Sequence, residues 1–227
     1  IGVLYPHPEM RMSGDVDFWI KDRYENTKEK IEAIIGVSLP DLSKYEKDGS
    51  FELNGVLYEV HSYLITFGSK KSSKYWNRIA FDSWKQNCFV EILDEKVRIL
   101  PPTMNAVYVF LHLFFHFIRE GVGLRQFCDW AVLLNHYYHE IDVVQLEDIL
   151  VKLNMLKAYK AFGGILVNYL GLPEDRFPFA ISKKSGKWEQ RIIRDVFKGG
   201  NFGKRNHAAH KVGLKFKLET AAVSIRN

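Results

Sequence analysis

Two aspartates, Asp15 and Asp17, stand two residues apart in the segment RMSGDVDFWI, residues 11–20. The segment has the pattern of a short β-strand that follows a Ser-Gly turn. Successive side chains of a strand point to opposite faces, so the two aspartates share one face. Their carboxylates repel each other unless a cation lies between them, and Mg²⁺ binds such oxygens together with substrate phosphates. The spacing therefore predicts metal-assisted transfer of a phosphoryl or nucleotidyl group.

A carboxylate and an imidazole are paired in a second segment, FELNGVLYEVHSYL, residues 51–64. Two alternating runs flank Asn54-Gly55, which is a strong signal for a β-hairpin. On the second predicted strand Glu59 and His61 share a face, where a core strand would carry apolar side chains. The segment therefore predicts a hairpin with one polar face.

Two histidines, His112 and His116, lie one helical turn apart in the apolar run LHLFFHF, residues 111–117. The i, i+4 spacing also occurs in zinc-binding helices. No glutamate follows the first histidine and no third ligand is evident, so zinc and a His-ligated metallohydrolase are the weaker hypothesis. Histidines that line the core or a pocket are the favoured interpretation.

A helix is predicted from Leu124 to Tyr138, after the break at residues 121–123. Its first turn carries Arg125 and Gln126, and Asp129 follows Arg125 by one turn. Arg125 and Asp129 are placed to form an intrahelical salt bridge. Arginine also binds phosphate with two parallel hydrogen bonds, and a helix N-terminus favours anions, so the same residues suit a triphosphate. Both interpretations remain open from the residues alone.

The remaining pattern predicts an α+β chain with two regions. Residues 1–100 would form a small mixed β-sheet with flanking helices, and residues 101–227 a mostly helical region with a basic C-terminal tail. Pro101-Pro102 marks the boundary, since proline biases the preceding residue away from helix. The predicted helices are residues 25–35, 75–84, 103–120, 124–138, 145–153, 157–170 and 183–198, and the further strands are residues 88–93 and 97–100.

Composition places few limits on function. The chain has 227 residues, 47% of them hydrophobic, and a formal net charge of +5. This charge is compatible with nucleotide phosphates, and nucleic acid is possible but not indicated. No apolar run reaches the about 18 residues of a membrane span, so we expect a cytoplasmic protein without a membrane partner. The free cysteines Cys88 and Cys128 agree with a reducing compartment. The first five residues resemble the end of a helix, which leads us to expect an N-terminally truncated chain.

Two motifs resemble those of a known family. Gly14-Asp15-Val16-Asp17, preceded by residues 5–9 (YPHPE) and Arg11, resembles the aspartate motif of the polymerase-beta-like nucleotidyltransferase superfamily. Residues 121–130, GVGLRQFCDW, are similar to the helical motif of a largely uncharacterised bacterial branch of that superfamily. The aspartate motif lies near the start of the chain and the helical motif ends at residue 130, so the resemblance covers most of residues 1–135.

The resemblance implies an Mg²⁺- or Mn²⁺-dependent transfer of a nucleotidyl group from a nucleoside triphosphate, such as ATP, to a hydroxyl acceptor. Asp15 and Asp17 would bind the metal, and Glu59 would be the third carboxylate that completes the site and accepts the acceptor's proton. All three carboxylates are then expected to converge. The predicted substrate-binding residues are Arg11, Ser13, Gly14, His61, His112, His116, Arg125, Gln126 and Asp129.

Two alternatives to this assignment remain. Glu59 and His61 would be ordinary polar residues if the second strand of the hairpin simply faces solvent. The whole chain would be a catalytically inactive, nucleotidyltransferase-like binding module if it keeps the fold without the activity. The relatives that it resembles carry an upstream glycine motif that is not visible in this sequence, and this favours the second alternative.

Overall fold

The computed structural model describes residues 1–12, 14–20, 24–39, 41, 48–119, 121–181 and 186–199. The chain divides into two compact units. The smaller unit is His7–Gln86, and the larger unit combines Ile1–Pro6 with the chain from Asn87 onward. The α+β fold class predicted from the sequence is confirmed. The predicted division at residue 100 stays a prediction, and the basic tail falls outside the described residues.

The smaller unit contains a three-stranded mixed sheet. Its strands are β1 (Val16–Trp19), β2 (Asp48–Leu53) and β3 (Val56–His61), in the order β1-β3-β2. The central strand β3 is parallel to β1 and antiparallel to β2. Asn54 and Gly55 both adopt positive φ angles, of 52° and 76°, as a two-residue hairpin turn requires. The predicted hairpin is therefore confirmed.

One face of this sheet is apolar and forms the core of the smaller unit. Val60 of β3 is fully buried, and the Phe51 and Tyr58 rings stack with their centroids 5.2 Å apart. Helix α1 (Tyr24–Ile35) contributes Tyr24 to the same buried cluster. The cluster also contains Ile20 and Leu39, with Phe18, Ile31, Ile35, Val37 and Leu53 packed against it.

A second helix of the smaller unit, α2, spans Lys70–Ser83. It begins five residues before the predicted start at residue 75, because the Ser69 hydroxyl accepts a hydrogen bond from the Ser72 backbone N–H and caps the first turn. Trp76 and Ala80 are its buried apolar residues. Local capping has therefore extended a helix whose apolar pattern starts later.

The larger unit is mostly helical. Its helices are α3 (Pro102–Arg119), α4 (Leu124–Tyr137), α5 (Val143–Lys152), α6 (Leu156–Leu170) and α7 (Gly186–Gly199). These five helices were predicted within a few residues of their observed ends. In the part of the chain that the structure describes, no helix is long and apolar enough to cross a membrane.

Two strands, β4 (Phe89–Ile92) and β5 (Glu95–Arg98), form a separate hairpin in the larger unit. Their existence was predicted, but they were expected to join the main sheet. Leu93 and Asp94 adopt positive φ angles of 50° and 65°, which makes a tight two-residue turn. The turn brings β5 back onto β4, so each of these strands pairs with its neighbour in sequence.

The core of the larger unit is built from aromatic rings of α3, α4 and α6. Tyr159 packs against Trp130 and Phe110, with ring centroids 4.7 Å and 4.9 Å apart, and all three side chains are fully buried. Phe127 stacks on Phe162 at 5.5 Å. Aromatic pairs in such geometries contribute about 0.5 to 1.5 kcal/mol each beyond their buried area.

Gly163 of α6 lies against the ring of Phe177. A Cβ atom added at Gly163 would lie 1.9 Å from the Phe177 Cζ atom, whereas one added at Gly186 of α7 meets no atom of the described residues within 4 Å. We expect Gly163→Ala to lower the free energy of unfolding by about 1 to 3 kcal/mol, because the buried ring must shift. Urea unfolding measures this change. Gly186→Ala is the matched control, and equal destabilisation by both variants would contradict the prediction.

Burial raises the pKa of the Tyr159 phenol above its ordinary value. The unfolded chain exposes this phenol and so loses its proton first, near pH 10. Below about pH 10 the phenol is neutral in both states and does not change the free energy of unfolding. Above about pH 10 it ionises only in the unfolded chain, which lowers the free energy of unfolding by about 1.4 kcal/mol per pH unit. We expect Tyr159→Phe to remove this part of the slope. Urea unfolding of both proteins between about pH 9 and 11 measures it, and identical slopes would show that the tyrosine does not titrate on unfolding.

Candidate metal centre

The polar face of the three-stranded sheet carries the candidate site. Parallel pairing of β1 with β3 places Asp17 directly opposite Glu59, and Trp19 opposite His61. Side chains alternate along each strand, so Asp17, Glu59 and His61 lie on the face opposite to the core residue Val60. The strand pairing thus brings together residues that are far apart in the sequence.

Three potential ligand groups meet on this face. The Nε2 atom of His61 lies 2.6 Å from Oδ1 of Asp17 and 3.7 Å from Oε2 of Glu59. One ligand atom from each of the three residues lies within 4.8 Å of the other two. The distance of 2.6 Å is that of a hydrogen bond to a charged acceptor, with the imidazole N–H donating to the carboxylate.

The three side chains differ in their exposure to solvent. The side chain of His61 is 2% exposed, whereas those of Asp17 and Glu59 are 28% and 31% exposed. The imidazole therefore lies at the buried end of the group, and both carboxylates are partly exposed to solvent. A ligand that approaches from solution reaches the carboxylates first.

The residues present fit a divalent cation. Mg²⁺ binds oxygen ligands at about 2.1 Å in octahedral geometry, so neighbouring ligand atoms lie about 3 Å apart and opposite ones about 4 Å apart. The ligand oxygens of Asp17 and Glu59 lie within 4.8 Å of each other, so a small adjustment brings one oxygen from each within reach of the same ion. Carboxylate oxygens suit both Mg²⁺ and Mn²⁺. The donor set is therefore suited to a hard or borderline divalent ion.

The other predicted residues of the aspartate motif lie just before β1. Asp15 is exposed and precedes the strand by one residue, and within the described residues its carboxylate is not part of the group above. Gly14 is exposed and Arg11 is half-buried. Ser13 lies outside the described residues. The roles of all four in metal or substrate binding stay predictions.

His112 and His116 face each other on α3. Their Nε2 atoms are 3.2 Å apart, and their rings meet edge to face with centroids 4.4 Å apart. One neutral imidazole donates and the other accepts in such a contact. Across the ranges that the structure describes, no cluster of three or more His, Cys, Asp or Glu ligands includes this pair. The predicted role of the two histidines in substrate binding stays a prediction.

The predicted phosphate-binding residues lie in the first two turns of α4. Arg125 and Gln126 are half-buried in the first turn, and Asp129 is only 7% exposed. Asp129 accepts a hydrogen bond of 2.8 Å from the Tyr5 hydroxyl, a partner that helical spacing did not indicate. The roles of Arg125, Gln126 and Asp129 toward a substrate stay predictions.

Comparison with known protein families finds a match. Residues 2–171 match the model of a family described as uncharacterised nucleotidyltransferase. The matched range takes in the whole smaller unit and helices α3 to α6. No curated protein and no solved structure matches the chain.

The contact between Tyr5 and Asp129 ties the start of the chain to α4 within the larger unit. We expect Tyr5→Phe to lower the free energy of unfolding by about 1 to 3 kcal/mol, because a buried carboxylate loses a hydrogen-bond donor. A double-mutant cycle with Asp129→Ala, which removes the acceptor, followed by urea unfolding, isolates the coupling energy of the pair. Additive effects of the two substitutions would contradict a direct interaction.

Proposed function

The chain belongs to a family of uncharacterised nucleotidyltransferases, and on this premise we propose that it transfers a nucleotidyl group from a nucleoside triphosphate to a hydroxyl acceptor. The reaction would depend on Mg²⁺ or Mn²⁺. The observation that carries the proposal is the group of Asp17, Glu59 and His61, in which two carboxylates open toward solvent. We further propose that the family is part of the polymerase-beta-like superfamily, as the aspartate motif suggests.

The arrangement of the carboxylates supports this chemistry. Like charges placed directly opposite each other on neighbouring strands destabilise a sheet. Asp17 and Glu59 occupy such a position, and their side chains are 28% and 31% exposed. The two carboxylates would hold a divalent cation, which would offset their repulsion and supply positive charge for the triphosphate.

Each residue has a distinct part in the proposed reaction. Asp17 and Glu59 would hold the cation, and Asp15, which lies just before β1, is the proposed further oxygen ligand. When bound, the cation neutralises charge on the triphosphate and lowers the pKa of the acceptor hydroxyl. Glu59 has a partly exposed carboxylate and is the proposed acceptor of the hydroxyl proton. Arg11 and the backbone N–H of Gly14 precede these ligands and are the proposed phosphate contacts.

The first experiment tests binding and turnover separately. Calorimetric titration of the parent protein with each of the four triphosphates, with and without Mg²⁺ or Mn²⁺, measures metal-dependent binding. Release of pyrophosphate in the presence of candidate hydroxyl acceptors measures transfer. Metal-dependent binding without pyrophosphate release would assign the chain as a nucleotide-binding module, whereas absence of binding would contradict the proposal as a whole.

Two variants test whether the carboxylates of Asp17 and Glu59 bind the cation. We expect Asp17→Asn and Glu59→Gln each to weaken metal-dependent nucleotide binding by at least about tenfold, because each removes a negative ligand of the cation. Glu52→Gln removes an exposed carboxylate from β2 of the same sheet and is the matched control. The same titration with Asp15→Asn decides whether Asp15 is a ligand. If Asp17→Asn binds the nucleotide as tightly as Glu52→Gln does, the metal site does not lie on this face of the sheet.

A further inference from the structure

We infer that His61 is a positioning residue of the cation site, and this inference rests on the proposed function. The Nε2–H group of His61 holds Oδ1 of Asp17, so that Asp17 presents its other carboxylate oxygen to the cation. The imidazole itself does not bind the ion. The sequence had indicated His61 only as a residue that contacts substrate.

The distances around Nε2 favour a hydrogen bond to Asp17 over coordination of an ion. Two ligand atoms on one octahedral Mg²⁺ or Mn²⁺ ion lie at least about 3 Å apart. The Nε2 atom of His61 lies 2.6 Å from Oδ1 of Asp17, which is closer than this limit, and 3.7 Å from Oε2 of Glu59. The imidazole is therefore in hydrogen-bonding contact with one carboxylate and not placed evenly between the two.

Burial leads to the same assignment. Mg²⁺ and Mn²⁺ sites of this kind keep water and substrate phosphates among their ligands, so the ion lies on the side that solvent reaches. The carboxylates of Asp17 and Glu59 are both partly exposed, whereas the His61 side chain is almost fully buried. An ion held by the solvent-facing carboxylate oxygens would leave the imidazole on the buried side of the group.

The backbone fixes His61 where this role requires it. The carbonyl of His61 accepts a hydrogen bond of 3.0 Å from the N–H of Ile20, which extends the pairing of β1 with β3 past Trp19. The histidine side chain has only two rotatable bonds and is almost fully buried, which restricts the direction of its N–H group. Hydrogen bonds of this type orient metal-binding carboxylates, and their loss typically costs about 10- to 100-fold in metal affinity.

Two variants distinguish loss of the N–H donor of His61 from loss of its imidazole ring. His61→Gln keeps an N–H donor at a similar reach, whereas His61→Leu keeps apolar bulk and removes the donor. We expect His61→Leu to bind Mn²⁺ about 10- to 100-fold more weakly than the parent protein, and His61→Gln to bind within a few fold of it. Electron paramagnetic resonance of free Mn²⁺ measures both affinities without any nucleotide. His136→Gln removes an exposed histidine of α4 and is the control.

A spectroscopic measurement on the parent protein decides between positioning and coordination. Electron spin echo modulation of bound Mn²⁺ detects a directly coordinated imidazole nitrogen. We expect no such nitrogen in the parent protein or in His61→Gln. A coordinated nitrogen that disappears in His61→Gln would overturn the inference and make His61 a ligand, while leaving the proposed function intact.

The remaining outcomes are also decisive. Binding of Mn²⁺ by His61→Leu as tightly as by the parent, or no Mn²⁺ binding by the parent, would overturn the inference. Circular dichroism shows whether His61→Leu folds, and if it does not, the spin echo measurement on the parent protein still decides. Failure of the proposed function is seen separately, as Mn²⁺ binding with the expected His61 dependence but without pyrophosphate release.

Discussion

The parallel pairing of β1 with β3 is the constraint on which the candidate site depends. It places the carboxylate of Asp17 opposite that of Glu59 and continues beyond β1 through the backbone hydrogen bond between Ile20 and His61. Two opposed carboxylates are unfavourable in a sheet, and His61 offsets part of this cost by donating to Asp17. Stability of the sheet and geometry of the site therefore depend on the same few residues.

The two faces of β3 link the site to the hydrophobic core. Val60 is fully buried on the apolar face, and its sequence neighbours Glu59 and His61 point to the polar face. A shift of the pairing by one residue would exchange the two faces and expose the core. Burial of Val60 together with Phe51 and Tyr58 thus fixes the register in which the carboxylates meet.

Local features of the sequence were sufficient to predict most of the elements. Asn54-Gly55 predicted the β2–β3 hairpin because this turn requires two residues that tolerate positive φ angles. The apolar pattern of residues 103–120 likewise predicted α3, the longest helix among those described. The separation of β4 and β5 from the main sheet was not predicted, because strand pairing between distant segments has no signal in a local pattern.

The candidate site was only partly predictable for the same reason. Alternation along β3 put Glu59 and His61 on one face, but the parallel register that sets them beside Asp17 is a tertiary feature. The hydrogen bond from Tyr5 to Asp129 joins residues 124 positions apart, and no spacing rule indicates it. For Asp15 a local pattern was available: its spacing from Asp17 predicted that the two side chains share a strand face. The strand begins only at Val16, so Asp15 lies one residue before it.

Anomalous diffraction from a crystal of the protein soaked with Mn²⁺ tests the central claim most directly, because it locates the ion without any assumption about the substrate. We expect a single strong peak between the carboxylates of Asp17 and Glu59, within about 2.1 to 2.3 Å of an oxygen from each. The hydrogen bond from His61 to Asp17 should persist beneath it. A peak at His112 and His116, or no peak on the polar face of the sheet, would contradict the account.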